Sequence, residues 1–327
     1  MIIDRNCYTH RFVFLGLTLL LSMASLPAST QETASPSELE TVIVTASRTD
    51  QAGATLPNAW VSLSEDTIAL VAAQHSNQLF NRVSGAWVSR GNGQESLISL
   101  RSPVLTGAGS CGAFMTAQDG ISLRAPGFCN VNQLFDANLL QAGSVEVLKG
   151  PAAVVFGSNA LHGIINVTTR PVASTPNQLS VEAGSRDYYR LSASGAGQKV
   201  AVSAQTSRYG GYQADSGYTQ QKATLRLDNE WNDWTIDGAL EASELDQDTA
   251  GYIQGYEAYK DEQASEENPN PEAYRDAWSM RASSEWVKDQ LTLKPYLRRS
   301  QMTFLQHFLP GQPLENTPQG PAHAPTG

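Results

Sequence analysis

From about residue 178 onward the chain alternates apolar and polar positions with a period of two. In 187–196, Tyr189, Leu191 and Ala193 fall on one face and Arg190, Ser192 and Ser194 on the other. In 199–209, Val200, Val202 and Ala204 oppose Ser203, Gln205 and Ser207. The same pattern returns in 222–231, 234–245, 277–287 and 290–303, with Leu225 against Thr224 and Arg226, and Leu240 against Glu241. Successive side chains of a strand project to opposite faces, so each segment predicts a strand of about ten residues with one apolar and one polar face. The joins alternate in length. Residues 197–198, 232–233 and 288–289 are tight turns, whereas 210–219 and 246–276 are long. Trp231, Trp234, Trp278 and Trp286 sit near segment ends. Strands of this length, unequal loops and terminal aromatics fit a transmembrane β-barrel, where polar side chains face the lumen and aromatics line the interfaces. A soluble β-sandwich is the alternative, although its strands are usually shorter.

The preceding stretch, 56–171, has a different rhythm. Ser64 is a candidate N-cap for a helix to Ala73, and a second helix over 77–83 is stopped by Gly85. Strands are predicted at 86–90, 97–101, 113–117, 145–149 and 164–169, with a turn at Asp119-Gly120. This is one small α/β domain. Before it, 31–39 is polar and reads as a disordered arm. Glu40-Thr41-Val42-Ile43-Val44-Thr45-Ala46 is then rich in β-branched residues, which favour extended backbone. Standing between two polar stretches, it suits donation as an added strand to another protein's sheet edge; it equally suits a first strand of the domain that follows.

Composition narrows the compartment. Arg5 and Arg11 precede a short apolar run from Phe12 to Leu21, followed by the small residues Ala24, Ser25 and Ala28. That is the pattern of a secretory signal, assigned to residues 1–30, and its apolar run is about half the ~20 residues a helical span requires. The net charge is −10, with 17% charged residues and no basic stripe, which argues against a nucleic-acid partner. Of three cysteines, Cys7 lies in the signal. Cys111 and Cys129 remain as an even pair in an exported chain, and a disulfide is the favoured reading, with a free pair or a metal site as alternatives. Gly107, Gly109 and Gly112 fit a dinucleotide glycine pattern but lack the strand–turn–helix setting it needs. His75 and His162 have no partners at metal or catalytic spacing and read as surface or turn residues. No nucleophile elbow or zinc-protease motif occurs, so no catalytic residue and no cofactor are assigned.

The most specific stretch is Val145-Glu146-Val147-Leu148-Lys149-Gly150-Pro151, continued by Phe156-Gly157-Ser158 and by Gly163-Ile164-Ile165-Asn166-Val167-Thr168-Thr169. It resembles the end of the plug domain in TonB-dependent outer-membrane receptors. Leu100-Arg101 and Asp119-Gly120-Ile121 match further family positions, although Ser102 stands where a glycine is usual. Glu40 to Ala46 looks like the TonB box, and the Cys111–Cys129 insertion resembles a disulfide-closed plug loop. The resemblance implies an α/β plug domain (56–171) followed by antiparallel transmembrane β-barrel strands (178–313), an incomplete barrel ending in an irregular tail at 314–327. It implies TonB, with ExbB and ExbD, as periplasmic partners. An extracellular metal chelate or a cobalamin-like compound is the implied ligand, with outer-membrane lipid around the barrel. Plug charges such as Arg101 and Glu146 would lock ionically to the barrel wall, or else be ordinary strand-end charges. About seven strands are counted by residue 304 against the 22 of such barrels, so a truncated or partner-completed receptor fragment stands as an alternative. A periplasmic β-rich binding protein is a second.

Overall fold

The computed structural model describes residues 43–44, 51–52, 59–104, 112–124, 133–152, 156–253 and 255–305. Cys111, Cys129 and five residues of the box segment (Glu40, Thr41, Val42, Thr45, Ala46) lie outside them. The centre of that segment, Ile43–Val44 (β1), pairs antiparallel with Gln51–Ala52 (β2), Val44 opposite Gln51.

The α/β domain begins with β3 (Ala59–Ser64). Ser64 is the N-cap of α1 (Glu65–Val71), its Oγ accepting the Thr67 amide at 3.4 Å, so the helix starts where the sequence places it. It stops at Ala72 in the left-handed region. The second helix, α2 (Ser76–Phe80), starts and ends earlier than the 77–83 expected. Its N-cap is His75, whose ring accepts the Asn77 amide while Gln78 closes the capping box. β4 (Ala86–Arg90) and β5 (Ser96–Leu100) form a separate hairpin. The main sheet contains β6 (Met115–Gln118), β7 (Ile121–Ser122), β8 (Ala142–Lys149) and β9 (Gly163–Thr169) in the order β3-β8-β9-β6-β7. All its pairings are antiparallel except β6 with β9. Apolar side chains of β8 and β9 are buried along almost their whole length: Val147 and Ile165 join Leu79, Phe80, Val88 and Ile98 in the larger core cluster, and Leu148 and Ile164 join Met115 and Ala160 in a second.

The alternating region is a single antiparallel sheet in sequence order: β10 (Gln178–Ala183), β11 (Tyr189–Ala196), β12 (Val200–Tyr209), β13 (Gly217–Trp231), β14 (Trp234–Asp248) and β15 (Tyr274–Lys288). The faces divide as the alternation predicts. Val200, Val202, Leu227 and Leu240 are exposed on one face, while Ala201, Ser203, Lys222 and Thr224 are buried on the other, where Lys222 and Thr224 meet Ala137 and Asn138 of the α/β domain. β13 to β15 each run to 15 residues, longer than the alternation alone indicated, because their ends carry polar residues on both faces. The predicted strand at 290–303 is interrupted. Leu291–Leu293 (β16) and Tyr296–Leu305 (β17) both pair with β15 but part around Pro295, which has no N–H to give the ladder. Asn232 and Asp233 take positive φ, as a two-residue hairpin turn with right-handed twist requires. There Trp286 packs edge-on against Trp231 and Trp234, centroids 6.3 Å apart in both pairs. The 249–273 loop contains a short helix, Glu262–Glu266.

Candidate functional site: the seam between plug and wall

The motif residues first organise the α/β domain itself. Asp119 and Gly120 turn β6 into β7 with φ of 50° and 73°. The Gly120 amide donates to Asn166 Oδ1 at 2.9 Å, and the Asp119 carboxylate accepts the Thr169 amide and hydroxyl, each at 2.8 Å. The Asp-Gly turn and the Asn-Val-Thr-Thr strand are therefore one hydrogen-bonded unit. Glu146 is buried in the sheet, in register with Ser62 on one side and Asn166 on the other. Gly163 has φ of 141°, and a Cβ there would stand 2.1 Å from the Leu148 carbonyl oxygen, so no other residue fits without backbone movement. Gly150, before Pro151, has φ of 113°, and Gly157 has φ of 86°. Lys149 donates to Ser84 O at 2.7 Å; burial and the nearby Arg101 lower its pKa. Arg101 itself is exposed, its amide donating to Gly85 O at 2.9 Å.

Around this domain the wall strands supply a polar seam. At mid-height Arg226 reaches Asp119 Oδ2 at 3.5 Å. Gln118 donates to Thr169 Oγ1 at 2.9 Å and to Glu241, and Glu241 is paired with Arg281. Arg298 donates to the carbonyls of Ser122 and, at 2.8 Å, Arg124. Lys222 donates to Ala137 O at 2.6 Å, and Ser243 to Asp136 Oδ1 at 2.9 Å. Asp136 is partly buried, and desolvation raises its carboxyl pKa against the pull of Ser243 and of neighbouring cations. A cavity of about 20 Å³, room for about one water, lies here between Gln118, Asp136, Lys222, Glu241, Arg281 and Arg298.

Toward the long-loop end the contacts change character. The β4–β5 hairpin tip is tied to the wall three times. Asn92 donates to Ala250 O at 2.7 Å, the Gln94 amide to Gln247 Oε1 at 2.7 Å, and Arg275 to Glu95 Oε1 at 2.8–2.9 Å. Arg275 and Glu95 are both almost fully buried. Arg190, paired with Glu182, donates to the carbonyls of Ala72 and Ala73 at 2.7 Å each and so closes the free end of α1. Phe135 joins Tyr218, Leu245, Ala277 and Met302 of the wall in an apolar cluster. His75 is not a surface residue: it is 1% exposed, with Nε2 2.8 Å from Glu95 O. Burial lowers its pKa below 6.5.

Among the described residues, Asp119 with Arg226 and Glu95 with Arg275 form ion pairs between this domain and the wall; Arg101 is exposed, and Glu146 is buried in the sheet. Asp119 was legible as a turn residue only. Glu95, Gln94, Gln247, Arg190 and Arg275 carried no local motif; the signal available was a basic or amide side chain on the polar face of a wall strand.

Residues 53–164 match the family model for the TonB-dependent receptor plug domain. The vitamin B12 transporter BtuB of Vibrio cholerae serotype O1 is 28% identical over 228 residues, 68% of this chain and 36% of that protein. Among solved structures, the pyoverdine outer-membrane receptor FpvA of Pseudomonas aeruginosa superposes with a TM-score of 0.62 at 15% identity, over 80% of this chain and 39% of that one. The unliganded ferric citrate transporter FecA gives 0.61 at 15% identity, over 76% and 41%. The chain therefore spans about two-fifths or less of the length of these relatives. Residues 53–164 thus carry the TonB-dependent receptor plug domain, the relatives are transporters and receptors, not enzymes, and the solved structures share the fold of the plug and the wall sheet, which together support a TonB-dependent receptor family of which the chain covers a part.

Proposed function

We propose that the chain is the plug and leading wall of an importer that takes a scarce nutrient, a ferric chelate or a cobalamin-like compound, across the outer membrane. One observation supports this reading most directly: a domain with its own apolar core is fitted against the inner face of a wall sheet through polar contacts, and could leave without exposing that core. The names of the relatives, transporters or receptors for vitamin B12, ferric citrate and pyoverdine, are consistent with it. In this reading the long-loop end faces outward and the Trp231–Trp234 turn faces the periplasm. Residues 1–30 are a removed signal, 31–55 a periplasmic arm, and Cys111 and Cys129 close a plug loop by a disulfide. Glu40 to Ala46 is the strand offered to TonB, which with ExbB and ExbD would pull on it. Pairing would be by main-chain hydrogen bonds. Proline at the centre of the box removes one such donor.

The test uses cells making the full receptor. Val44→Pro should abolish energy-dependent uptake of a radiolabelled ferric chelate or cobalamin while leaving its binding at the surface intact. Unchanged uptake by that variant would contradict the box assignment. A chain that folds as a soluble periplasmic binder would instead show no heat-modifiable migration on a gel.

A further inference from the structure

The inner face of the wall is charged unevenly. Six basic side chains stand on it from the long-loop end to mid-height: Arg190, Lys222, Arg226, Arg275, Arg281 and Arg298. Over the same stretch the wall itself gives two carboxylates in ion pairs, Glu182 with Arg190 and Glu241 with Arg281. The remaining inward carboxylates gather at the other end. Asp228 lies opposite Asp237 just before the Trp231–Trp234 turn, and Glu285, paired with Lys294 at 2.6 Å, is next to Asp237 in register.

What satisfies the cations is the plug. Arg226 and Arg275 hold the carboxylates of Asp119 and Glu95. Arg190, Lys222 and Arg298 hold the carbonyl oxygens of residues 72–73, 137, and 122 and 124. Five of the six basic groups are thus occupied by plug oxygen atoms. Most are almost fully buried, where a stranded charge is costly. Any movement that opens a path along this face withdraws those oxygens and leaves an uncompensated positive arc. Something must replace them.

We propose that the cargo passing this arc is an oxygen-rich anion, of the class of negatively charged polycarboxylate or phenolate metal chelates, and that Glu95, Asp119 and the plug carbonyls are its place-holders. Charged rings and arcs in a pore select by sign. A neutral cargo would leave the basic groups unpaired in transit; an anionic one exchanges with the plug at little net electrostatic cost. The terminal carboxylates Asp228 and Asp237 then give the anion no second resting place and favour its release. The proposal rests on the import reading for the direction of travel only; the sign of the lining does not depend on it.

The experiment is conductance of the purified full receptor in planar bilayers. Glu95→Arg with Asp119→Arg sets like charge against Arg275 and Arg226 and should open the path. Heat-modifiable migration checks that the variant assembles, and the milder Glu95→Gln/Asp119→Asn pair replaces it if it does not. The open pore should prefer chloride over potassium by about threefold or more in a salt gradient. Ferric citrate, an anionic chelate, should block that current, while cyanocobalamin, which has no net charge, should not. Adding Lys222→Gln and Arg298→Gln should weaken the ferric citrate block by about tenfold. Cation selectivity, equal block by cyanocobalamin, or plugs that stay shut after both charge changes would each overturn the proposal. None of these readouts needs TonB, so a failed box variant and a failed anion test remain separate results.

Discussion

The interior of the plug and the seam around it are built from different materials. Inside, Phe80, Leu79, Ile98, Ile165 and Val147 pack with almost no exposed surface. Burying each such side chain is worth roughly 1.5–3 kcal/mol, and none of that gain depends on the wall. In the seam, contacts are hydrogen bonds and ion pairs: Arg275 with Glu95, Arg226 with Asp119, Lys222 with Ala137 O, Gln94 with Gln247. A hydrogen bond that water can replace contributes only about 0.5–1.5 kcal/mol net. Phe135 and its wall partners are the main apolar exception. The difference separates two kinds of permanence: the plug keeps its own fold, and its hold on the wall is one that the oxygen atoms of a polar ligand can take over.

Substitutions on the two sides should separate that contrast. Phe80→Ala, in the core, should cost about 3–5 kcal/mol and make the plug protease-sensitive inside an otherwise intact receptor. Arg275→Gln should cost about 3 kcal/mol in the thermal stability of the assembled protein, because it leaves Glu95 buried without its cation. Glu95→Gln/Arg275→Gln together should recover much of that loss; a double variant as weak as the sum of the singles would mean the two residues do not act as a pair. His75 gives a pH signature. Burial holds its ring neutral, so the unfolded chain takes up the proton more readily. Stability is then full above the unfolded value of 6.5 and falls as pH drops from there toward the lower folded value, by at most about 1.4 kcal/mol per pH unit. His75→Asn keeps an N-cap and should flatten the His75 step in a melting-versus-pH series. Leu70→Gln, at a position 87% exposed, should change melting by less than about 0.5 kcal/mol.

Much of the frame was readable from residue order. Period-two alternation located β11 to β15 and their short turns, because along the middle of each strand one face meets the plug and the other is mostly apolar. Ser64 announced α1, and Asp119-Gly120 announced its turn. Other features depend on distant contacts. Gln94 and Glu95 read as loop residues, and only β14 and β15 make them an anchoring point. His75 reads as a surface or turn residue because nothing local shows that the β4–β5 hairpin covers it. The plug motif marked Arg101 and Glu146 as charges of interest, yet the tertiary fold puts one at the surface and the other in the sheet. Pro295 divides the last wall strand although alternation continues through it.

Hydrogen exchange read by mass spectrometry on the full receptor in detergent, at low and at high ionic strength, tests the contrast most directly. The seam segments 91–95, 118–124 and 133–138 should exchange faster than the core strands 145–149 and 163–167, and salt should accelerate the seam alone. Core strands that open together with the seam, or a seam indifferent to salt, would contradict the account.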